Sequence, residues 1–342
     1  MNNPLVSVIM PVYNSQQYVK AAVNSIVNQT YENIEILCVN DCSTDDSLSV
    51  LNELASKDSR VKVIDSPVNV GAGEARNLAI AQAKGEYITF VDADDTIEPD
   101  LYQRVIDEIN KNNPDQVVFG IVEDYFNEKD QLIKSVPVTS PYGFYSNDRE
   151  IMRVVLELED NFLFGYQCTS FYRTSIILNN NILFTKHLFY EDYFLNLEFI
   201  KHMKTISVID YAGYHYFKRK NGSITRTFTK DYFELSYSRI ESMYQYCEGK
   251  GYMEADMYNI LGNRLLRYTL SALSRNHNPL SEMTFSDMKK WVDENTSREI
   301  YSLLLPRCRT SNVAHKVLKL FIENNLSVLM VLVGKVIYLI RK

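Results

Sequence analysis

The sequence lacks the features that would settle its class at once. Its five cysteines (Cys38, Cys42, Cys168, Cys247 and Cys308) are scattered, with no CxxC pair. An odd, unspaced set argues against a disulfide framework or a zinc site and predicts reduced thiols in a cytoplasm-like compartment. Positive charge is not in excess. The net charge is −7, so the surface as a whole is no nucleic-acid footprint. No run reaches the roughly twenty apolar residues of a spanning helix. Leu326–Ile340 comes nearest and is interrupted by Lys335. The leading MNNPLVSVIMPVYN has no basic start and no long apolar core, so no secretory signal is read there. Internal repeats and low-complexity tracts are absent. A GxGxxG after the first strand is absent too, PVYNSQQY standing in its place, and so is GxxxxGK[ST]. A dinucleotide fingerprint is thereby excluded and a P-loop disfavoured.

What is present is a regular alternation. The 342 residues suffice for a large core and two domains. Val6–Met10 is a β-branched run ended by Pro11, and Gln17–Gln29 has helical apolar spacing. Ile34–Val39 reads as a second strand. A helix through Leu48, Leu51 and Leu54 follows, with Ser43 or Thr44 as expected N-cap. Val61–Ile64 is a third strand, and Gly71–Lys84 a loop and helix stopped by Gly85. Tyr87–Asp95 then ends on carboxylates, with Asp95 or Thr96 as candidate caps of a helix from Pro99 to Asn110. Gln116–Val122 is the next strand. Strands separated by helices at this interval predict βαβ units and a mostly parallel sheet. Beyond Asp124 the expectations are a loop or hairpin over Glu128–Tyr145, helices at Glu150–Glu157 and Tyr190–His202, and strands in Ile206–Tyr216. From Lys230 the pattern is helical: Tyr232–Cys247, Met253–Ser274, Phe285–Asn295 and Ala314–Ile340. The expected division is 1–229 and 230–342.

The chemistry sits at strand ends, where open α/β sheets bind ligands. YITFVDADD places Asp92, Asp94 and Asp95 there. Hard divalent cations take a few carboxylates together with substrate phosphates, although such clusters also serve as solvated turns or caps. PVYN, Pro11–Asn14, offers Tyr13 as a stacking face for a base. VNDCSTDD offers Asp41 as acceptor for a pyrimidine N3–H; taken alone, a turn and cap is the simpler account. NVGAGEARNLAI brings glycines that let backbone approach a ligand, and Arg76 as a planar charge. FYEDYF holds Glu191 and Asp192, a pair that also simply suits a helix N-terminus. YHYFKRKNGSIT holds His215, Lys218, Arg219, Lys220 and Ser223.

Together VSVIMPVYN, IEILCVNDCSTDDS, NVGAGEARNLAI and YITFVDADD resemble family 2 glycosyltransferases over about the first 225 residues. The resemblance implies a GT-A fold, a Rossmann-like sheet flanked by helices, and inverting transfer from a UDP-sugar. It implies that Tyr13 and Asp41 hold the uracil. Pro11, Ala93 and Asp92 would line the donor site, Asp92 on the ribose side, and Arg76 would lie near the base or diphosphate. Asp94 would ligate Mn²⁺ or Mg²⁺. Asp192 would be the base, supported by Glu191. Arg219 and Ser223 would touch the diphosphate, and His215 would be an added metal ligand. Phe217-Lys218 stands where many relatives carry Tyr-Arg, which leaves open which of residues 218–220 reaches the diphosphate.

The resemblance further implies a glycan acceptor, lipid-linked in bacterial surface polysaccharide assembly, and a cytoplasmic enzyme peripheral to the inner membrane. The segment 315–342, apolar with Lys316, Lys319, Lys335, Arg341 and Lys342, reads either as an interfacial helix on that membrane or as one packed on the body or a second subunit, giving a homodimer. Two rivals are a sugar-nucleotide pyrophosphorylase, which needs a basic Gly-rich loop after the first strand, and an inactive GT-A-like binding protein.

Overall fold

The structure, a computed structural model, describes residues 2–185, 190–219 and 228–341. It divides into two compact units, Met1–Ser223 and Ile224–Lys342.

The first unit is built on one sheet of ten strands. Its parallel part comprises β3 (Val61–Asp65), β2 (Ile34–Asn40), β1 (Val6–Val12) and β4 (Tyr87–Phe90), in that spatial order. All seven residues of β2 and all four of β4 are buried, as strands covered on both faces require. Between them run α1 (Val19–Val27), α2 (Ser47–Lys57) and α3 (Ala72–Ile80). Beyond β4 the sheet is mixed. β9 (Ser170–Arg173) pairs antiparallel with both β4 and β6 (Gln116–Phe126), and β10 (Ile206–Lys218) runs parallel to β6. The short β5 (Thr96–Ile97) closes the far edge against β10, while β7 (Leu132–Val138) and β8 (Gly143–Tyr145) pair with β6 and β10. The remaining helices of this unit are α4 (Leu101–Asn112), α5 (Asp148–Asp160), α6 (Thr174–Asn179) and α7 (Glu191–Ile200).

Several local expectations are revised. α2 starts at Ser47, with Asp46 as cap and no side-chain cap bond. Ser43 and Thr44 instead bind the β1–α1 loop: Asn14 N–H donates to Ser43 Oγ, and Asn14 Oδ1 accepts from Thr44 N. Gly85 is not a helix stop, since α3 already ends at Ile80. It lies against the start of β1, where a Cβ would stand 2.5 Å from Ser7 N. Asp95 and Thr96 cap no helix. Thr96 belongs to β5, Asp95 is buried, and α4 begins at Leu101. Ile206–Tyr216 is a single strand with register shifts after Val208 and Ala212.

The second unit is helical: α8 (Tyr232–Gly249), α9 (Ala255–Arg275), α10 (Phe285–Thr296), α11 (Glu299–Leu304), α12 (Val313–Glu323) and α13 (Ser327–Arg341). The expected single helix Ala314–Ile340 is two. Asn325 takes a left-handed φ of 54°, which asparagine tolerates and a helix does not.

Candidate active site

The carboxyl ends of β1, β2 and β4 converge with the first turns of α3 and α7. β2 delivers Asp41, whose carboxylate accepts backbone N–H bonds from Val70 at 2.7 Å and Gly71 at 2.9 Å. Asp41 therefore fixes the loop into α3, and each oxygen keeps a second lone pair. Gly71 makes the turn at φ 86°, which a side chain would strain. Tyr13 follows β1 with half its surface open, as a stacking residue needs. Pro11 lies within β1, opposite Val39.

Arg76 is the hub. It rises from α3, is buried, and donates from Nη2 to Asp92 and from Nη1 to Glu191, each at 2.8 Å. Asp192 Oδ1 is 3.7 Å from Nη1. Burial by itself would weaken the hold of Arg76 on its proton. Asp92, Asp192 and Glu191 outweigh burial and raise its pKa. Gln167, buried in a 3₁₀ turn before β9, completes the network. With its amide oriented to satisfy both neighbours, its oxygen accepts from Arg76 Nη2 at 2.9 Å and its NH₂ donates to Asp192 Oδ2 at 2.6 Å. Packing is tight here: a Cβ on Gly73 would stand 2.5 Å from Glu191 Oε2. Tyr190 carries a left-handed φ of 63° immediately before Glu191. Strain of this kind collects where a site needs a set geometry.

Asp192 is the site's most perturbed acid within the neutral range. Burial raises its pKa to about 7, Arg76 opposing and Asp92 and Glu191 adding to the rise. Burial likewise raises Glu191, against Arg76. Both lie in the first turn of α7, where the helix dipole favours the anion; desolvation outweighs that preference.

The acidic strand end divides its labour. Asp95 is buried and structural: Tyr214 Oη donates to it at 2.8 Å and Phe217 N–H at 2.9 Å, tying β10 to the end of β4. Desolvation, with Asp94 and Asp92 nearby, raises its pKa well above the usual carboxylate range. Asp92 N–H donates back to Tyr214 Oη at 3.1 Å. Asp94 is the open one, with 53% of its side chain exposed. Desolvation by its surroundings and the charge of Asp92 raise its pKa, an effect that solvent screens. Arg219 Nη1 donates to the Asp94 carbonyl at 3.1 Å and lies 3.8 Å from its carboxylate, with its guanidinium 4.2 Å from the Tyr18 ring. Ala93 between the acids is buried.

The structure does not bring every candidate together. His215 is held by Asp124 at 2.7 Å and Glu98 at 2.9 Å, one carboxylate on each ring nitrogen, and these bonds raise its pKa against burial. In that arrangement neither nitrogen offers a lone pair to a metal beside Asp94. Lys218 pairs with Glu123, and among the described residues Arg219 is the cation at Asp94. Lys220 and Ser223 lie outside the described residues. A cleft of about 410 Å³ lined by Asn24, Asn28, Thr96, Glu98 and His215 is distinct, for none of Asp92, Asp94 and Asp192 lines it.

The donor set suits a hard divalent ion. Asp94 presents carboxylate oxygens to solvent beside a like charge that a cation would relieve. Among the described residues no three His, Cys, Asp or Glu side chains form a closed cage, so phosphate oxygens and water would complete the coordination. Gln167 and Tyr214 gave no functional signal in the sequence beyond position, because both act through tertiary contacts.

The chain and its fold have clear relatives. The chain is 30% identical to glycosyltransferase GlyG of Streptococcus pneumoniae serotype 4 over 69% of its own length and 76% of that protein's. It is 34% identical to a poly(ribitol-phosphate) β-glucosyltransferase of Bacillus spizizenii over 64% of its length, but spans only 33% of that protein. Two uncharacterized glycosyltransferases of Haemophilus influenzae, 42% and 41% identical over 33% of this chain, are likewise spanned over less than half their length. Its fold matches the crystal structure of Staphylococcus aureus TarS residues 1–349 in complex with UDP-GlcNAc, with TM-score 0.63, 24% identity, 89% of this chain and 81% of that one covered. The model of "Glycosyl transferase family 2" matches residues 7–178, half of the chain, so the protein is a member of that glycosyltransferase family.

Proposed function

We propose that this protein is an inverting, metal-assisted glycosyltransferase that moves one sugar from a UDP-sugar to a glycan acceptor, lipid-linked, in bacterial surface polysaccharide assembly. It would work on the cytoplasmic side. A UDP donor is supported by the TarS complex of like fold, and a surface-polymer acceptor by the poly(ribitol-phosphate) transferase relative. The observation that carries the reading is Asp192, a half-buried carboxylate whose pKa desolvation raises to about 7 and which Arg76 and Gln167 hold in one network with Asp92.

The chemistry follows from charge. Asp192 takes the proton of the acceptor hydroxyl as that oxygen attacks the anomeric carbon from the face opposite the nucleotide. A base with pKa near ambient pH is ionised often enough to act and still binds the proton. Glu191, locked by Arg76, positions the acceptor. Tyr13 stacks on the base, and Asp41 accepts from it with the lone pairs left by Val70 and Gly71. Pro11, Asp92 and Ala93 line the donor. Arg219 offsets charge gathering on the departing diphosphate. Asp94, with Asp92, would hold the divalent cation, which supplies Lewis-acid neutralisation of that charge. His215 stays out of this set.

Intact Asp92, Asp94 and Asp192 speak against an inactive binding module. Release of UDP from a panel of UDP-sugars with Mn²⁺ tests the reading. Asp94→Ala is expected to lower the rate by about 10²-fold or more, because transition-state charge is left uncompensated. Undiminished release from that variant would remove the metal assignment; no release with any UDP-sugar would remove the proposed donor.

A further inference from the structure

The helix α13 carries apolar side chains where a surface helix ordinarily carries charge. Val328, Leu329, Leu332, Val336, Leu339 and Ile340 are all exposed, from 41% at Leu329 to 78% at Ile340. At about 100° per residue these positions share one arc of roughly 120°. The other side is docked. Ser327, Met330, Val331 and Gly334 are buried, and a Cβ on Gly334 would stand 2.6 Å from Leu273 O of α9. The apolar arc is therefore the outward one. α12 repeats the arrangement, exposing Val313, Val317 and Leu320 while burying Leu318 and Ile322.

The charges on the α13 segment are of one sign, and on α12 the exposed Glu323 accompanies Lys316 and Lys319. From Leu326 onward the chain has no Asp or Glu. Lys335 stands exposed at the margin of the α13 arc, and Lys316 is exposed on α12. The neighbouring charges are largely occupied. Lys319 lies 3.7 Å from Glu323 and donates to Cys308 O, and Asp293 is taken by Lys289 and Ser327. Length sets the mode of contact. A helix of 15 residues is about 22 Å long, short of a hydrocarbon core of roughly 30 Å. No described helix is long and apolar enough to cross a membrane.

We propose that the outward faces of α12 and α13 dock on a bilayer rich in anionic lipid, the helix axes lying in the plane of the interface. Apolar side chains enter the acyl boundary, and Lys316 and Lys335 meet lipid phosphates. A second copy of the chain is the poorer occupant. A two-fold interface through α13 would bury this arc against itself with no acid in the segment to answer Lys335, whereas lipid phosphate answers it directly.

The test is flotation of the full chain with vesicles of equal parts phosphatidylglycerol and phosphatidylcholine, and with phosphatidylcholine alone. The expected result is flotation with the anionic vesicles, weakened by salt. Leu332→Glu with Val336→Glu, both on the exposed arc, is expected to cut vesicle affinity about tenfold or more. UDP release from soluble donor should be unchanged in that variant, showing that it folds. Wild-type protein that floats with neither vesicle, or a double variant that binds as well as wild type, would overturn the proposal. So would light scattering that shows a dimer which the double variant dissolves, since the surface would then belong to a second copy.

Discussion

Arg76 holds two acidic elements at once, Asp92 from the end of β4 and Glu191 from α7, and it does so from within the protein. Such a buried cation persists only because its carboxylates repay desolvation, and removing one partner exposes the cost. Asp192 shows the complementary effect. Its folded-state pKa lies above its ordinary 3.8, at about 7. The native state thus binds this proton more tightly than the unfolded chain, and its stabilising effect is present below about pH 4 and lost as pH rises through about 7. Activity runs the other way, because the base must be ionised. The rate is expected to rise with pH to a plateau with a midpoint near 7, and Asp192→Asn to lose about 10²–10⁴-fold on that plateau and progressively less below the midpoint, where the wild-type base is itself protonated. A flat profile between about pH 5 and about pH 8 would deny Asp192 the role of base.

Gln167 supplies a second prediction at this scale. Its NH₂ group bonds the Asp192 carboxylate and so favours the ionised form. Gln167→Leu is expected to move the midpoint of the pH–rate profile upward and to cost about 1–3 kcal/mol of stability, since Arg76 and Asp192 lose a buried partner. Thermal unfolding and the pH profile, measured on the same preparation, separate the two effects. A loss of stability with an unmoved midpoint would make Gln167 a packing residue only. Nothing around Gln167 in GYQCTS announces this role, because an isolated buried amide is defined by what folds over it. Asp92 and Asp94 stood out in the sequence because carboxylates directly after an apolar run are unusual, whereas the Glu191-Asp192 pair, which any helix N-terminus favours, was singled out only by the family resemblance.

At the scale of elements, the first turn of α3 is pressed against the first turn of α7. Gly73 permits this, its missing Cβ leaving room for Glu191 Oε2 and Phe184 Cβ. Gly73→Ala is expected to push Glu191 off Arg76, lowering kcat by about tenfold or more while a folded protein remains. Steady-state kinetics beside a circular dichroism melt check it, and unchanged kcat would show that the Glu191 side chain yields without consequence. The parallel half of the sheet was legible because strand and helix periods alternate cleanly from β1 to α3. β9 and α6 were not. A strand of four residues followed at once by a six-residue helix is too short for either period to declare itself. The break between α12 and α13 was hidden for a different reason: Asn324-Asn325 carries no glycine or proline, and only the left-handed φ of Asn325 ends the helix. Gly85 misled because a glycine near a helix end usually signals the turn, whereas here it serves close packing against β1.

For the molecule as a whole, charge decides how a nucleotide diphosphate can be received. The net charge is −7, and the site adds to the difficulty: among the described residues, Asp92, Asp94, Asp95, Glu191 and Asp192 share Arg76 and Arg219. A diphosphate entering that field is repelled unless a further cation accompanies it. UDP and Mn²⁺ should therefore bind as a pair, each improving the site for the other. Ligand at about a hundred times its Kd stabilises the native state by about 2.7 kcal/mol, which at about 2–4 °C per kcal/mol for a unit of this size raises Tm by about 5–11 °C. Differential scanning fluorimetry is expected to show that rise with UDP and Mn²⁺ together, and at most a small part of it with UDP in EDTA or with Mn²⁺ alone. Asp94→Ala should abolish the synergy while leaving the ligand-free Tm near that of wild type, because Asp94 is half exposed and its side chain supports little of the fold. An equal rise with UDP in EDTA would mean that Arg219 and the surrounding backbone suffice to hold the diphosphate, and that the acidic strand end serves something other than a metal ion.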